Sequence, residues 1–332
     1  MPLPLNRLIR SAFLIGLSML ITQPVQAQTA AAPQTALAAP NFAVPADWQP
    51  GQLSRTLSFE LDSKHTGQRY RILVGMPHKP APASGYPTLW MLDGLASFPI
   101  TEYMRPRPAS PTDSPQYLAK IGDEPAGLVV AIGYTNGQII DVNGRALDYT
   151  PALPAGTKTG DALSPRHGGA DAFLQFLTLE LRPLIARHFA MDPQRHTLFG
   201  FSYGGLFALH TLTTAPQHFQ RYWAASPSLW FGESFTLRQL SQRLPAMRLA
   251  APTRVMVTVG MDEQYPERFA SPEAKQRLQS RAMVDNTRLF AQQLGDAKLD
   301  KLQLESQSVA GHDHHDMLLH GARRVVEFAF AP

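Results

Sequence analysis

The chain has 332 residues, 44% of them apolar and 17% charged, with a formal net charge of +4, which is ordinary globular composition. It contains no cysteine, so thiol catalysis and cysteine-based zinc sites are excluded, and an exported form would be held by its core alone. Arg7 and Arg10, in the N-terminal leader described next, account for +2 of that net charge; the remaining +2 argues against a nucleic-acid partner.

The first 27 residues carry Arg7 and Arg10, then the apolar run Ala12 to Ile21, then Val25-Gln26-Ala27 with small residues at cleavage-type positions. That three-part pattern predicts a secretory signal. The run is far shorter than the ~20 residues needed to cross a bilayer, so no stable membrane span is expected in the mature protein. Residues 28–45 are Ala, Pro, Gln and Thr almost without charge, the composition of a disordered linker. Residues 46–332 then read as one catalytic domain.

Within that domain β-type and helical patterns alternate. Leu53 to Leu61 and Arg69 to Met76 predict an antiparallel pair around the polar turn Ser63 to Gly67. Thr88 to Leu92, Leu128 to Ile132, Thr197 to Phe199, Tyr222 to Ala225, Arg254 to Val259 and Leu302 to Val309 are short apolar or β-branched runs that predict strands. Helical spacing appears at Ala172 to Phe189, Gly204 to Thr214, Lys275 to Leu294 and Asp316 to Phe330. Strands alternating with helices predict an α/β fold: a mostly parallel sheet with helices on both faces, led by an antiparallel hairpin.

Gly200-Phe201-Ser202-Tyr203-Gly204 is G-x-S-x-G. Five residues with three fixed are a weak signal alone, but this set lies directly after a predicted strand and before a predicted helix, the context of a nucleophile elbow. The glycines permit a sharp, strained turn that lifts Ser202 to the carboxyl edge of the sheet. There the hydroxyl meets a helix N-terminus, which favours developing negative charge.

A serine hydroxyl needs a base, and the base needs an orienting acid. In this strand–turn–helix setting the acid and the histidine follow in that order on loops after later strands. Gly260-Met261-Asp262-Glu263-Gln264 offers two carboxylates, and Gly311-His312-Asp313-His314-His315-Asp316 offers three imidazoles; spacing alone does not choose among them. The histidine cluster has a rival reading as a divalent-metal site. No further ligand set accompanies it, so no metal and no cofactor are expected.

These residues resemble the putative-esterase branch of the α/β-hydrolases, and within it the periplasmic esterases of catecholate siderophores. The likeness runs over nearly all of residues 46–332. Tyr86 to Gly94 resembles that family's strand into the oxyanion loop, and Gly133-Tyr134 with Arg145, Asp148, Tyr149, Thr150 and Pro151 its substrate-side stretch. Gly168 to Leu174 resembles the start of a family helix, Ala225 to Trp230 its "SPSLW" segment, and the elbow its "GHSYGGL". Phe201 departs from the last, standing where histidine is common.

The resemblance implies a serine esterase with an α/β-hydrolase fold. It places the base on His314, with Gly311 and Met317 in register, and the acid on Glu263, with Asp262 as the alternative. The oxyanion would be held by the backbone N–H of Tyr203 and one from Gly94-Leu95. The implied substrate is an anionic catecholate siderophore with an ester (trilactone) core, for which Arg145 would be the charge partner and Trp230 and Trp90 aromatic walls. Arg145 has a bland alternative, an ion pair with Asp148 or Asp141. Two other functions remain: a general carboxylesterase or acyltransferase with a small-molecule ester substrate, and a non-catalytic binding module. The expected location is outside the cytoplasm, in the periplasm.

Overall fold

The structure is a computed structural model that describes residues 53–106, 109–123, 126–266 and 271–331; the expected secretory signal (1–27) and linker (28–45) lie outside the described residues. All eight β-type segments of the sequence are strands: β1 (Thr56–Asp62), β2 (Arg69–Gly75), β3 (Tyr86–Met91), β4 (Leu128–Tyr134), β5 (Met191–Phe201), β6 (Arg221–Ala225), β7 (Thr253–Gly260) and β8 (Leu302–Val309). They form one sheet in the order β1-β2-β4-β3-β5-β6-β7-β8. β2 pairs antiparallel with β1 and β4, and every other pairing is parallel.

Burial follows this order. All seven residues of β4 and all five of β6 are buried, because helices cover both faces of a parallel sheet. The edge strands β1 and β8 show mixed exposure. One face of the sheet packs on an aromatic cluster that includes Tyr70, Tyr149, Phe173, Phe176 and Phe207. The other face packs Leu89, Met91, Phe199 and Trp223 against the C-terminal helix His314–Phe330.

Two of the expected helices differ from the sequence reading. The segment expected as one helix from Lys275 to Leu294 is two, Pro272–Arg281 and Met283–Asp296, separated by Ala282 in the left-handed region (φ 46°). The break is set from a distance: the Gln264 side-chain oxygen accepts from the N–H groups of Val284 (2.9 Å) and Asp285 (3.0 Å), capping the second helix at its start. The segment Ala172 to Phe189 is helical from Ala170 to Ala186, with a π-wound middle at Phe176–Leu181. Four helices not expected from the sequence are also present, Gly94–Met104, Pro115–Asp123, Val142–Tyr149 and Phe231–Arg243.

The topology positions the site. From β3 the chain steps to β4 on one side and then to β5 on the other, so β3 and β5 are neighbours whose following segments diverge to opposite faces. A crevice opens outside the carboxyl ends of strands at such a switch point. The loop after β3 carries Asp93-Gly94 and the end of β5 carries Ser202.

Candidate active site

Ser202 lies between β5 and the helix Tyr203–Thr214 with φ 60° and ψ −115°, a strained conformation for a residue with a side chain. Neighbouring backbone holds it there: its N–H donates to the Ala225 carbonyl at 2.9 Å and its carbonyl accepts from Ser228 N–H at 3.1 Å. Gly200 is sterically required, since a Cβ there would stand 2.1 Å from the Gly204 carbonyl oxygen. Gly204 has ordinary room, its nearest neighbour being Leu92 at 3.4 Å.

The Ser202 side chain is buried and its Oγ lies 3.3 Å from the Oγ of Ser228. Sequence reading placed Ser228 in a familiar segment but gave it no contact with the nucleophile candidate. No hydrogen bond joins Ser202 to His314 in this arrangement. The His314 ring instead packs on Phe201, the residue before the serine, with centroids 4.5 Å apart.

The two downstream loops meet beside Phe201. His314 is the first residue of the C-terminal helix, and its Nδ1 lies 2.5 Å from Glu263 Oε2. Glu263 is 2% exposed; its other oxygen accepts from the Ser226 hydroxyl at 2.5 Å and from Gly260 N–H at 2.8 Å. A buried carboxylate is stable when its oxygens are occupied in this way. Ser226 was missed by sequence reasoning, because its role depends on β6 lying next to β7.

Asp262 makes no such contact: its backbone N–H donates to the His312 carbonyl at 3.1 Å, and its side chain has no hydrogen bond to the imidazoles. That backbone bond laces the two loops together, and Gly260 is needed for the approach, as a Cβ there would meet the His312 carbonyl at 2.2 Å. The rest of the histidine cluster has local explanations. Asp313 caps the C-terminal helix by accepting from His315 N–H (2.8 Å) and Asp316 N–H (3.0 Å), with Asp316 returning a bond to Asp313 N–H, a capping box. His312 Nδ1 sits 3.0 Å from the Ala310 carbonyl. Among the described residues no three His, Asp or Glu side chains are grouped to hold a metal ion.

Opposite the elbow, Asp93 (φ 50°) precedes the helix Gly94–Met104. Gly94 and Leu95 are thus the first two residues of one helix and Tyr203 the first of another, and N–H groups at these positions have no partner inside their own helix. The two helix starts flank the Ser202 side of the crevice, because β3 and β5 are paired.

Arg145 does not face the crevice as a free cation. It is 8% exposed, its Nε donates to Asp93 Oδ1 at 2.9 Å, and its Nη2 donates to Asp93 Oδ2 and to the Phe201 carbonyl, both at 3.0 Å. The geometry corrects the expectation of Arg145 as a free charge partner: the ion-pair alternative holds, with a partner other than the two considered. Asp141 caps the helix Val142–Tyr149. Asp148 accepts from Tyr70 (2.8 Å), Tyr134 (3.0 Å) and Gln68 (2.7 Å); burial pushes its carboxyl up from 3.8 to about 7, against the pull of those donors.

Trp90 is corrected likewise. It is 1% exposed, inside the sheet face rather than on a crevice wall, and its Nε1 donates to His196 Nδ1 at 3.2 Å. Burial lowers His196 to about 3, so it serves as a neutral acceptor. Trp230 is partly exposed and stands beside Tyr203, ring centroids 5.9 Å apart. The Tyr203 hydroxyl donates to Asp161 at 2.9 Å; burial and that carboxylate push the phenol above its usual range, keeping it neutral.

Comparison with known proteins agrees with this architecture. The chain is 30% identical over 281 residues to the ferri-bacillibactin esterase BesA of Bacillus subtilis, spanning 82% of this chain and 88% of that one. It is 32% identical over 280 residues to the siderophore enterobactin esterase of Emericella nidulans, spanning 77% and 88%. The crystal structure of the BES protein from Bacillus cereus superposes with a TM-score of 0.71 at 27% identity, covering 87% of this chain and all of that one. The fold is that of the α/β-hydrolases. The sequence profile of the Putative esterase family matches residues 63–315, and the chain belongs to that family of hydrolases acting on ester bonds.

Proposed function

We propose that the protein is an exported serine esterase that hydrolyses the ester bonds of a catecholate siderophore with a trilactone core, such as ferric enterobactin. Ser202 is the nucleophile, His314 the base and Glu263 the residue that orients it. The single observation that carries the catalytic part is the chain of contacts from buried Glu263 to His314 Nδ1 at 2.5 Å and from the His314 ring onto Phe201, next to the elbow serine. With Nδ1 facing the carboxylate, Nε2 is the nitrogen left to receive a proton.

The reaction begins when the Ser202 hydroxyl leaves Ser228 for the imidazole, a rearrangement usual on passing from a free enzyme to its substrate complex. Attack on the ester carbonyl creates an oxyanion that Tyr203 N–H and an N–H of Gly94-Leu95 stabilise; one such donor is typically worth ~10²- to 10³-fold in rate. The tetrahedral intermediate collapses by breaking the ester C–O bond, and the departing alkoxide takes the proton held by His314. The neutral imidazole then deprotonates the water that hydrolyses the acyl-enzyme, returning that proton to Ser202. The substrate class rests on the similarity to a ferri-bacillibactin esterase and a siderophore enterobactin esterase. Residues 1–27 act as the export signal, residues 28–45 as the linker, and the periplasm is the place of action.

A general carboxylesterase would use the same catalytic residues. Covalent labelling by a fluorophosphonate, lost in Ser202→Ala, tests the nucleophile. Mass analysis after incubation with enterobactin tests the substrate: linear trimer, dimer or monomer supports it, whereas cleavage of short aryl esters with an intact trilactone would leave the carboxylesterase.

A further inference from the structure

With Arg145 committed to Asp93, a different cation borders the crevice. Arg281 ends the helix Pro272–Arg281, and its guanidinium lies 4.5 Å from the centre of the Trp230 ring. Trp230 follows Ser228, whose hydroxyl touches that of Ser202, by two residues, and flanks Tyr203 on the elbow. Arg281 and Trp230 are both partly exposed.

The chemistry of the pair is asymmetric. Stacking on an indole occupies a face of the guanidinium, while its five N–H donors point outward in the plane of the group. Among the described residues no carboxylate forms an ion pair with Arg281, and no acceptor takes its side-chain N–H groups. By contrast, Arg182, the cation over Trp90, stacks on a buried ring and donates to the His218 carbonyl at 2.9 Å.

The pair is also held in place. Gln264, next to Glu263, caps the helix that begins two residues after Arg281, and its Nε2 donates to Asp285 at 2.6 Å. The left-handed Ala282 fixes the turn between. On the indole lies Gly160, where even a Cβ would be in ordinary van der Waals contact with the ring, at 3.4 Å. Arg281 is thereby tied to the same loop that carries Glu263, and little ordering remains for an anion to impose.

We infer that Arg281, presented on Trp230, is the anion-recognising residue of the site. Its outward N–H edge takes negatively charged oxygens on the acyl part of an ester whose carbonyl lies at Ser202. This rests on the esterase reading above and specifies it: catecholate or carboxylate oxygens are bound at Arg281, and the reacting carbonyl a few bonds away at the elbow.

The test compares two 4-nitrophenyl esters with one leaving group, the neutral butyrate and the anionic hemisuccinate, together with an enterobactin trilactone. The full chain and its Arg281→Met and Arg281→Lys variants are assayed. In Arg281→Met the ratio of kcat/KM for hemisuccinate over butyrate is expected to fall about tenfold, mainly through KM, as for loss of a charge-assisted hydrogen bond. Arg281→Lys should restore most of the ratio, and raising the salt should narrow the gap between wild type and Arg281→Met. An unchanged ratio, or equal losses on both esters, overturns the assignment. The two readings fail separately. Trilactone left intact by a wild type that still shows the Arg281-dependent ratio defeats the siderophore reading alone. Trilactone cleaved with the same KM by wild type and Arg281→Met defeats the Arg281 assignment alone.

Discussion

Arg145 meets both carboxylate oxygens of Asp93 with two different nitrogens, and one of those nitrogens also holds the Phe201 carbonyl. The pair therefore ties the loop after β3 to the last residue before Ser202. Removing one partner of a buried ion pair leaves an uncompensated charge, at a cost of ~3–5 kcal/mol. Arg145→Ala is expected to lower the urea midpoint with m nearly unchanged. Arg145→Lys, a point charge without the planar fork, should recover part of the stability but not the geometry, and kcat should fall while KM for a neutral ester stays close to wild type. A purely KM-based loss would instead return Arg145 to substrate binding.

Glu263 and Asp262 are adjacent in sequence, yet only Glu263 reaches the imidazole. Glu263→Gln should reduce kcat by ~10²- to 10⁴-fold, as expected when the orienting acid of a histidine base is neutralised. Asp262→Asn should stay within about twofold, given the modest effects of surface substitutions. Steady-state rates of the two variants decide, and a larger loss in Asp262→Asn would reverse the assignment.

Asp148 gives a pH dependence of stability. Its carboxyl is raised in the folded chain to about 7 from 3.8, so between these values the native state binds more protons than the unfolded one, and this group's contribution declines as pH rises. The contribution is complete below about pH 4 and lost by pH 7 and above. Denaturant midpoints measured across that window for wild type and Asp148→Asn should show a downward slope in wild type that is reduced in the variant. Parallel profiles would show that Asp148 does not titrate there.

The elbow leaves Gly200 no room, with the Gly204 carbonyl 2.1 Å from the position of a Cβ. Because this neighbour is backbone, Gly200→Ala requires the turn itself to move. Overpacking of this kind costs typically ~1–3 kcal/mol or more, and fluorophosphonate labelling of Ser202 should slow by at least an order of magnitude in whatever protein remains folded. Gly204→Ala, with its nearest neighbour at 3.4 Å, should be much the milder change.

The strands and the elbow were legible in the sequence because their signals are local. A run such as Leu128–Ile132 is apolar on both faces only where helices cover both sides of a sheet, and the strand–glycine–helix context of Ser202 is complete within about 20 residues. Where the local signal is weak, the sequence shows less of the fold. The polar first half of β5, with Asp192, Gln194 and Arg195, hid all but its last residues, and the helix Phe231–Arg243 opens with left-handed Gly232, Glu233 and Ser234, which blurs its period.

What the sequence by itself determined was the α/β alternation, the turn that presents Ser202 and the two loops on which partners for it had to be sought. Only the tertiary structure decided which side chains in those loops meet. Glu263 rather than Asp262 reaches His314, Arg145 is held by Asp93 fifty-two positions away, and Arg281 stands on Trp230 without a carboxylate partner among the described residues. The reason is physical: backbone conformation follows from neighbouring residues, whereas the charge state and orientation of a buried group depend on strands that lie side by side in space and far apart along the chain.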